Sequence, residues 1–159
     1  MISNSKKFVI IFNGEIYNWI EIKKQILKIK WRSKSDTEVM LEAYEKYGLS
    51  FFDKLNGIFS FAIYDINKKE LLLARDRLGV KPLYWTIKNE QFIFASEIKG
   101  ILASGIKRYL CKKTLKDFLF DGLIDHSEKT LFKNIYQVEP GSFMKIKHNG
   151  EIQKKNIGI

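Results

Sequence analysis

Residues 12–18 read FNGEIYN; they begin at the last residue of the apolar run FVIIF (residues 8–12) and precede WIEIKKQILKI (residues 19–29). An Asn-Gly pair after a strand normally forms a hairpin turn, but a helix pattern follows here, so we expect Asn13 and Gly14 to form a strand-to-helix corner. Glycine leaves the backbone N–H unobstructed, and the Asn side chain adds an NH2 donor. Two such donors could stabilise an oxyanion, although the dipeptide alone is more typical of a plain turn.

The composition is that of a globular protein. The chain has 159 residues, of which 45% are apolar, and we expect a single domain over residues 1–159. No apolar run approaches the roughly 20 residues of a membrane helix, and the N-terminus does not resemble a signal peptide. Cys111 is the only cysteine, and His126 and His148 are the only histidines. We therefore expect a cytoplasmic protein without a disulfide, a metal site, a cofactor or membrane contact.

The basic charge raises the question of nucleic-acid binding. The formal net charge is +10, carried almost entirely by lysines that are scattered along the chain. Arginine is the residue that dominates base and phosphate recognition, and no nucleic-acid-binding motif is present. We expect no specific nucleic-acid partner. Binding through charge alone stays an alternative, which predicts a steeply salt-dependent affinity without sequence preference.

Helix patterns come first along the chain and hairpin patterns come later. Asn18 with Glu21, and Ser35 with Glu38, are spaced as capping boxes for helices over residues 19–29 and 36–47. Shorter helices are expected over SEIKGIL (96–102) and TLKDFLFD (114–121). Hairpins are expected from GIFSFAIYD with ELLLAR, from PLYWTI with QFIFAS, and around Asn149-Gly150. This order predicts an α+β protein with a mostly antiparallel sheet.

Two further strings contain charged residues that merit attention. Asp36 lies in the first turn of its helix, where the helix dipole stabilises an acid, and its carboxylate could also bind a substrate ammonium group. The string LARDRLGVKPLYW (residues 73–85) runs from strand to strand through Arg75, Asp76 and Gly79. We interpret Arg75 and Asp76 as an ion pair that fixes this loop, so the string is expected to be structural.

Five strings occur in a fixed order: FNGEIYN, KSDTEVMLEAYEKYG, FFDKLNGIFSFAIYD, LLLARDRLGVKPLYW and FIFASEIKGIL. Together they resemble the glutaminase domain of asparagine synthetase, a class II glutamine amidotransferase of the N-terminal-nucleophile hydrolase type. The resemblance runs from about residue 8 to residue 102, and LFKNIYQVEPGSFMKI (131–146) extends it over nearly the whole chain. It implies an αββα sandwich of mostly antiparallel sheets and the hydrolysis of glutamine to glutamate and ammonia.

The resemblance also implies roles for individual residues. Asn13 and Gly14 match the oxyanion hole, which uses the side-chain amide of the first and the backbone N–H of the second. Glu15 and Asp36 match residues that hold the bound glutamine, and Asp36 is expected to contact the α-amino group of the substrate.

The chain also departs from this family. The family begins with a cysteine whose thiolate attacks the amide and whose own α-amine is the base, whereas this sequence begins Met1-Ile2-Ser3. The Arg-Gly-Pro and Arg-Leu-Ser-Ile strings of the family, which precede the Asn-Gly pair, are not found here, and neither is the ATP-using synthetase domain. Cys111 lacks an α-amine and is better explained as a semi-buried residue. We expect an N-terminally truncated domain that lacks its first strands, is inactive alone, and binds glutamine weakly or not at all.

Loss of the first strands has a structural consequence. It should leave unpaired strand edges and an uncovered apolar face. We therefore expect a homo-oligomer, or a partner chain that covers the position of the missing strands. Two alternatives stay open: a non-catalytic binding or assembly module, and a split glutaminase completed in trans by a polypeptide that carries the cysteine.

Overall fold

The computed structural model describes residues 1–27, 29–124 and 126–158. The chain divides into two compact units, the first formed by Met1–Lys81 with Pro140–Ile159 and the second by Pro82–Glu139. The expectation of a single domain stays a prediction. Within the described ranges, no helix is both long enough and apolar enough to cross a bilayer.

The elements confirm the α+β class, because helices are combined with strands that all pair antiparallel in the described part of the chain. In chain order they are β1 (Phe8–Ile16), α1 (Trp19–Gln25), α2 (Asp36–Tyr47), a 3-10 helix (Gly48–Lys54), β2 (Gly57–Asp65), β3 (Glu70–Arg75), β4 (Tyr84–Lys88), β5 (Gln91–Ala95), α3 (Ile98–Ala103), α4 (Lys112–Asp121), β6 (Tyr136–Gln137), β7 (Ser142–Ile146) and β8 (Ile152–Asn156). The first unit holds a sheet in the order β1-β2-β3-β7-β8, and the second unit holds a sheet in the order β5-β4-β6. All three predicted hairpins are present, as β2–β3, β4–β5 and β7–β8.

The core of the first unit lies between one face of its sheet and the helices. Ile10 and Ile16 of β1 are buried there with Val39 and Met40 of α2. The 3-10 helix adds Phe51, which is fully buried. Burying each side chain of this size contributes roughly 1.5–3 kcal/mol, so this apolar cluster holds α2 against β1.

The Asn-Gly pair lies inside β1, and the prediction of a strand-to-helix corner at this point was wrong. Asn13 pairs with Ser60, and Gly14 pairs with Phe59, in the middle of the β1–β2 ladder. From Ile10 to Ile16, exposed residues alternate with buried or half-buried ones, which is the two-residue period of a half-buried strand. The chain turns only after Ile16.

A glycine is required at position 14 by the closeness of the neighbouring strand. A Cβ atom on Gly14 would lie 2.2 Å from the carbonyl oxygen of Ile58 and 2.7 Å from the Cα atom of Phe59. Gly14 also has φ of +157°. Gly57 shows the reciprocal contact, since its Cβ would lie 2.2 Å from the carbonyl oxygen of Glu15. The Asn-Gly pair is therefore a point of close strand approach and not a turn.

The outer edge of β1 is partly covered by the N-terminus. The Met1 ammonium donates to the Ile10 carbonyl at 2.8 Å, and the Ile10 N–H donates to the Met1 carbonyl at 2.8 Å. The Tyr17 N–H donates to the Asn56 carbonyl just beyond the β1–β2 ladder, so in this register the odd-numbered residues of β1 direct their backbone hydrogen bonds to β2. Even-numbered residues therefore direct their backbone groups outwards. The outward N–H groups of Phe12 and Gly14 have no partner among the described residues, so this part of the edge is open.

Helix boundaries differ from the predictions. Asn18 does not cap α1 with its side chain, because that side chain instead bonds to the Lys54 carbonyl and the Asn56 N–H. The helix ends at Gln25, short of the predicted residue 29, and Lys28 lies outside the described residues. Ser35 does cap α2, by accepting from the Thr37 N–H. The other two helices begin after Glu97 and Cys111 rather than at Ser96 and Thr114.

The second unit is built on aromatic stacking. The ring of Trp85 on β4 stacks on Phe92 of β5 and on Tyr136 of β6, with centroids 5.6 Å and 4.8 Å apart. Aromatic side chains contribute large buried areas to such small sheets. The end of α4 leaves large apolar side chains exposed, such as Leu119 and Phe120.

A buried carboxylate holds the loop that leads into α2. Glu38 is fully buried and accepts hydrogen bonds from the N–H of Arg32 at 2.9 Å, the N–H of Ser33 at 2.7 Å and the Ser33 hydroxyl at 2.6 Å. Burial raises the pKa of Glu38, but these hydrogen bonds outweigh it and hold the pKa below its ordinary value. Because the charged form is favoured in the folded state, this carboxylate stabilises the fold at neutral pH.

We expect Gly14→Ala to lower the free energy of unfolding by roughly 2–4 kcal/mol, because the new Cβ would force β1 and β2 apart. Gly122→Ala is the matched control, since Gly122 is left-handed with φ of +66° but has nothing within 4 Å of its Cβ position. Its cost is the backbone strain alone, about 1 kcal/mol. Urea unfolding followed by circular dichroism measures both values. Equal losses in the two variants would contradict the close approach.

We expect Glu38→Gln to lower the free energy of unfolding by about 2 kcal/mol at pH 7, because the amide cannot accept all the bonds that the carboxylate accepts. The pKa of Glu38 is lower in the folded than in the unfolded state, so its stabilisation is present above the unfolded value and is lost as the pH falls through the folded value. The difference between wild type and variant should therefore shrink below about pH 4. The control Glu97→Gln alters a side chain that is 61% exposed, and it should change little at any pH. A pH-independent loss in Glu38→Gln would exclude this linkage.

Candidate functional site

The exposed face of β1 presents two of the predicted site residues. Asn13 and Glu15 are exposed, and their side chains lie on the face opposite the buried Ile10 and Ile16. Successive odd residues on a strand are roughly 7 Å apart, so the amide and the carboxylate are neighbours on this face. Neither side chain has a hydrogen-bond partner among the described residues, and both are available to a ligand.

The Gly14 N–H points along the sheet plane to the open outer edge of β1. It therefore lies at the rim where this edge meets the face that carries the Asn13 side chain. A donor from the backbone and a donor from the adjacent side chain are thus presented to the same side of the strand. The backbone here is a continuous strand and not the predicted corner, but the same two donors, the Asn13 amide and the Gly14 N–H, still lie close together.

Asp36 lies at the same edge, two residues further along β1. As the first residue of α2 it accepts from the Thr37 N–H at 2.7 Å through Oδ1, and from the Ile16 N–H at 3.0 Å through Oδ2. The Ile16 N–H is the next outward-facing donor after Gly14. The bond places the Asp36 carboxylate roughly 7 Å along the edge from the Gly14 N–H. The structure therefore brings Asn13, Gly14, Glu15 and Asp36 into one region of the first unit.

Arg75, Asp76 and Gly79 form a separate arrangement around the loop that follows β3. Oδ1 of Asp76 accepts from the N–H of Leu78 at 3.1 Å and of Val80 at 3.0 Å, while Oδ2 accepts from Lys81 at 3.0 Å and from Phe59 at 3.3 Å. The Arg75 guanidinium donates to the carbonyls of Lys81 at 2.9 Å and Gly79 at 2.7 Å. These bonds from both side chains close the loop on its own backbone.

Gly79 allows that closure. It has φ of +66°, and a Cβ there would lie 2.7 Å from Cγ of Pro140 and 3.2 Å from Cζ of Arg75. The loop also reaches β2 through the bond from the Phe59 N–H to Asp76. Because Phe59 pairs with Gly14, the loop supports the strand on which the candidate site lies.

Ser60 is a residue that the sequence reasoning missed. It lies directly opposite Asn13 on β2 and directly opposite Arg75 on β3, so the three side chains form one row across the sheet. Ser60 is 2% exposed, and its Oγ atom has no hydrogen-bond partner among the described residues. The alternation in GIFSFAIYD puts Ser60 on one face, but only the strand register places it beside Asn13.

The first unit itself supplies no thiol to this region. The first unit contains no cysteine, and Cys111 belongs to the second unit, where it accepts from the Thr114 hydroxyl at 3.3 Å. That bond, with the backbone N–H of Thr114, lowers the pKa of the Cys111 thiol. The described residues also contain no cluster of His, Cys, Asp and Glu that could hold a metal ion.

Comparison with known proteins indicates the family of the chain. A family described as a glutamine amidotransferase domain matches residues 1–156. "Asparagine synthetase [glutamine-hydrolyzing] 2" of Bacillus subtilis is 38% identical over 143 residues, which are 87% of this chain and 19% of the relative. "Amidase chry2" of Gibberella zeae is 36% identical over 135 residues, which are 84% of this chain and 20% of the relative. The chain thus spans about a fifth of the length of these relatives.

A solved structure shows the same fold. The glutamine phosphoribosylpyrophosphate amidotransferase from B. subtilis superposes with a TM-score of 0.71 and 19% identity over all of this chain and 31% of its own length. This likeness confirms the predicted fold class, that of the N-terminal-nucleophile amidotransferases. From the family match and the identities to asparagine synthetases together, we conclude that the chain belongs to the class II glutamine amidotransferase domain family.

Proposed function

We propose that the first unit binds glutamine at the outer edge of β1, with Asn13 and Gly14 as an oxyanion hole. The observation that supports this most is the pair of donors, the exposed Asn13 amide and the outward Gly14 N–H, neither of which has a partner among the described residues. An amide carbonyl that becomes tetrahedral develops negative charge on its oxygen. Two fixed donors stabilise this charge, and loss of one such donor typically costs roughly 3 kcal/mol of transition-state stabilisation.

Asp36 and Glu15 would hold the rest of the substrate. The carboxylate of Asp36 is fixed by two backbone N–H groups at 2.7 Å and 3.0 Å, so a substrate ammonium group would meet a charge that is already in place. Glu15 offers a second carboxylate on the exposed face. No arginine among the proposed residues grips the substrate carboxylate, so we expect glutamine to bind only in the millimolar range, about −4 kcal/mol or weaker.

We also propose that these 159 residues do not hydrolyse glutamine by themselves. Attack on the amide requires an activated nucleophile with a neighbouring base. The Met1 ammonium is bonded to the Ile10 carbonyl, and Met1 carries neither a thiol nor a hydroxyl. The nucleophile would then come from a polypeptide segment outside these residues. This would make the chain a binding or assembly module, or one half of a split glutaminase completed in trans.

The open edge of β1 supports a covering partner. The N–H groups of Phe12 and Gly14 face outwards without partners among the described residues, and Ile11 beside them is 65% exposed. Exposed strand edges of this kind pair readily with another chain. We propose that a second copy or a separate polypeptide covers the edge up to the site.

The proposed location is the cytoplasm, and no specific nucleic acid takes part.

Isothermal titration calorimetry with L-glutamine tests the binding proposal. We expect a millimolar dissociation constant for the wild type, no measurable binding by Asp36→Asn, and a severalfold weaker affinity for Asn13→Ala, because each change removes a charge or a donor from the site. Asp53→Asn is the matched control, since Asp53 is an exposed carboxylate of the 3-10 helix and should leave binding unchanged. Equal affinities in all four proteins would contradict the site. Glutamate release by the wild type that disappears in Asn13→Ala would contradict the proposed inactivity.

Amide hydrogen exchange combined with light scattering tests the covering partner. If the chain associates with itself over this edge at micromolar concentration, the amide of Phe12 should become protected as the protein concentration rises, whereas the amide of Gly14 should stay exchangeable. The amides of Ile10 and Ile16 serve as internal controls, because they are already bonded to Met1 and Asp36 within one chain. A monomer at all concentrations would exclude the homo-oligomer and leave only a separate polypeptide as the partner.

A further inference from the structure

We propose that Ser60 is a positioning residue of the candidate site: its hydroxyl donates to Oδ1 of Asn13 and thereby directs the Asn13 NH2 group towards the ligand. This inference rests on the proposed role of Asn13. Ser60 is not one of the site residues indicated by the sequence motifs, and it makes none of the hydrogen bonds described for Asp36.

Ser60 carries a buried hydroxyl group that has no hydrogen-bond partner among the described residues. Burying a hydroxyl without a hydrogen bond is unfavourable, and Ser60 is 2% exposed with no partner for Oγ among the described residues. An alanine at this position would fill almost the same volume without that cost. A buried polar group of this kind requires an explanation, and its position beside Asn13 provides one.

The strand register is the second observation. Ser60 and Asn13 are directly opposite each other on neighbouring strands, so their Cβ atoms are roughly 5 Å apart and their side chains share one face. Oγ of Ser60 has no partner in the part of the chain that the structure describes, and at this separation the proposed bond to Oδ1 of Asn13 would form by rotation of the two side chains about their own bonds. The close approach of β1 and β2 at Gly14, one residue further along, keeps this pair in register.

Charge fixes the direction of the bond. Arg75 lies on the opposite side of Ser60 in the same row, and a guanidinium presents only donors. The guanidinium donates to the carbonyls of Gly79 and Lys81, and its positive charge favours the Ser60 hydroxyl with its lone pairs towards Arg75 and its hydrogen towards Asn13. The Asn13 carbonyl oxygen then accepts from Ser60, and its NH2 group faces away from Ser60. In this orientation the amide presents donors, which is what a developing oxyanion requires.

The mobility of the Asn13 NH2 group distinguishes a positioning role of Ser60 from a purely structural one. In 15N-labelled protein without ligand, we expect the Asn13 NH2 group to be about as rigid as the backbone, as measured by its heteronuclear NOE. In Ser60→Ala the NOE should fall to that of a mobile side chain, and the melting temperature should change little, because the Asn13 oxygen that loses the bond is exposed to water. Ser60→Thr keeps the hydroxyl and should restore the rigid NH2 signal.

Ser3→Ala is the matched control. Ser3 is also a buried serine of the first unit, but its Oγ atom accepts from the Phe8 N–H at 3.2 Å and bonds to Ser5. This variant should lower the melting temperature and leave the Asn13 NH2 signal unchanged. An Asn13 NH2 group with the same NOE and chemical shift in wild type and Ser60→Ala would overturn the inference.

Glutamine titration separates the two proposals. We expect Ser60→Ala to weaken glutamine binding about threefold to tenfold. If the wild type does not bind glutamine at all, the proposed substrate is wrong, while the NH2 measurement still decides on Ser60. If glutamine binds equally to wild type and Ser60→Ala, the positioning role is wrong and the binding site stands.

Discussion

The close approach of β1 and β2 at Gly14 and Gly57 is the constraint on which the candidate site depends. Each glycine lies where a Cβ would meet a carbonyl oxygen of the other strand at 2.2 Å, the oxygen of Ile58 in one case and of Glu15 in the other. The two contacts fix the register of the ladder, because a slip by one residue would move a side chain into a carbonyl group. The register in turn sets Asn13 opposite Ser60 and turns the Gly14 N–H outwards.

A second contact connects the helical layer to the same strand edge. Asp36 is the first residue of α2 and accepts from the Thr37 N–H and from the Ile16 N–H, so a single carboxylate joins the first turn of the helix to the point where the open part of the edge ends. Glu38, two residues further on, holds the preceding loop through Arg32 and Ser33. The Asp36 carboxylate could bind an ammonium group. The packing of α2 on β1 thus sets its distance from the two donors, the Asn13 amide and the Gly14 N–H.

The sequence predicted the hairpins and the α2 cap because these depend on local signals, such as Ser35 before an apolar stripe or Asn149-Gly150 between two strands. Through the order of the five strings, it also indicated Asn13, Gly14, Glu15 and Asp36, which the structure brings into one region of the first unit. It misplaced the Asn-Gly pair, because the same dipeptide serves as a turn or as a point of close strand contact, and only the neighbouring strand decides between them. It could not reveal Ser60, whose position depends on the pairing of residues 47 positions apart.

A strand that covers the open edge would compete with the oxyanion hole for one group, the Gly14 N–H. A strand that paired with β1 as far as Gly14 would bond to the same N–H that a tetrahedral intermediate needs, and the site would then lose one of its two donors. Ser3 lies opposite Phe8, and Met1 lies opposite Ile10, so a strand that continues this line would reach Phe12 before Gly14. Cover that ends at Phe12 satisfies the backbone of that residue and leaves the Gly14 N–H free. The exposed edge is therefore compatible with binding only if its cover stops one ladder position short of the glycine.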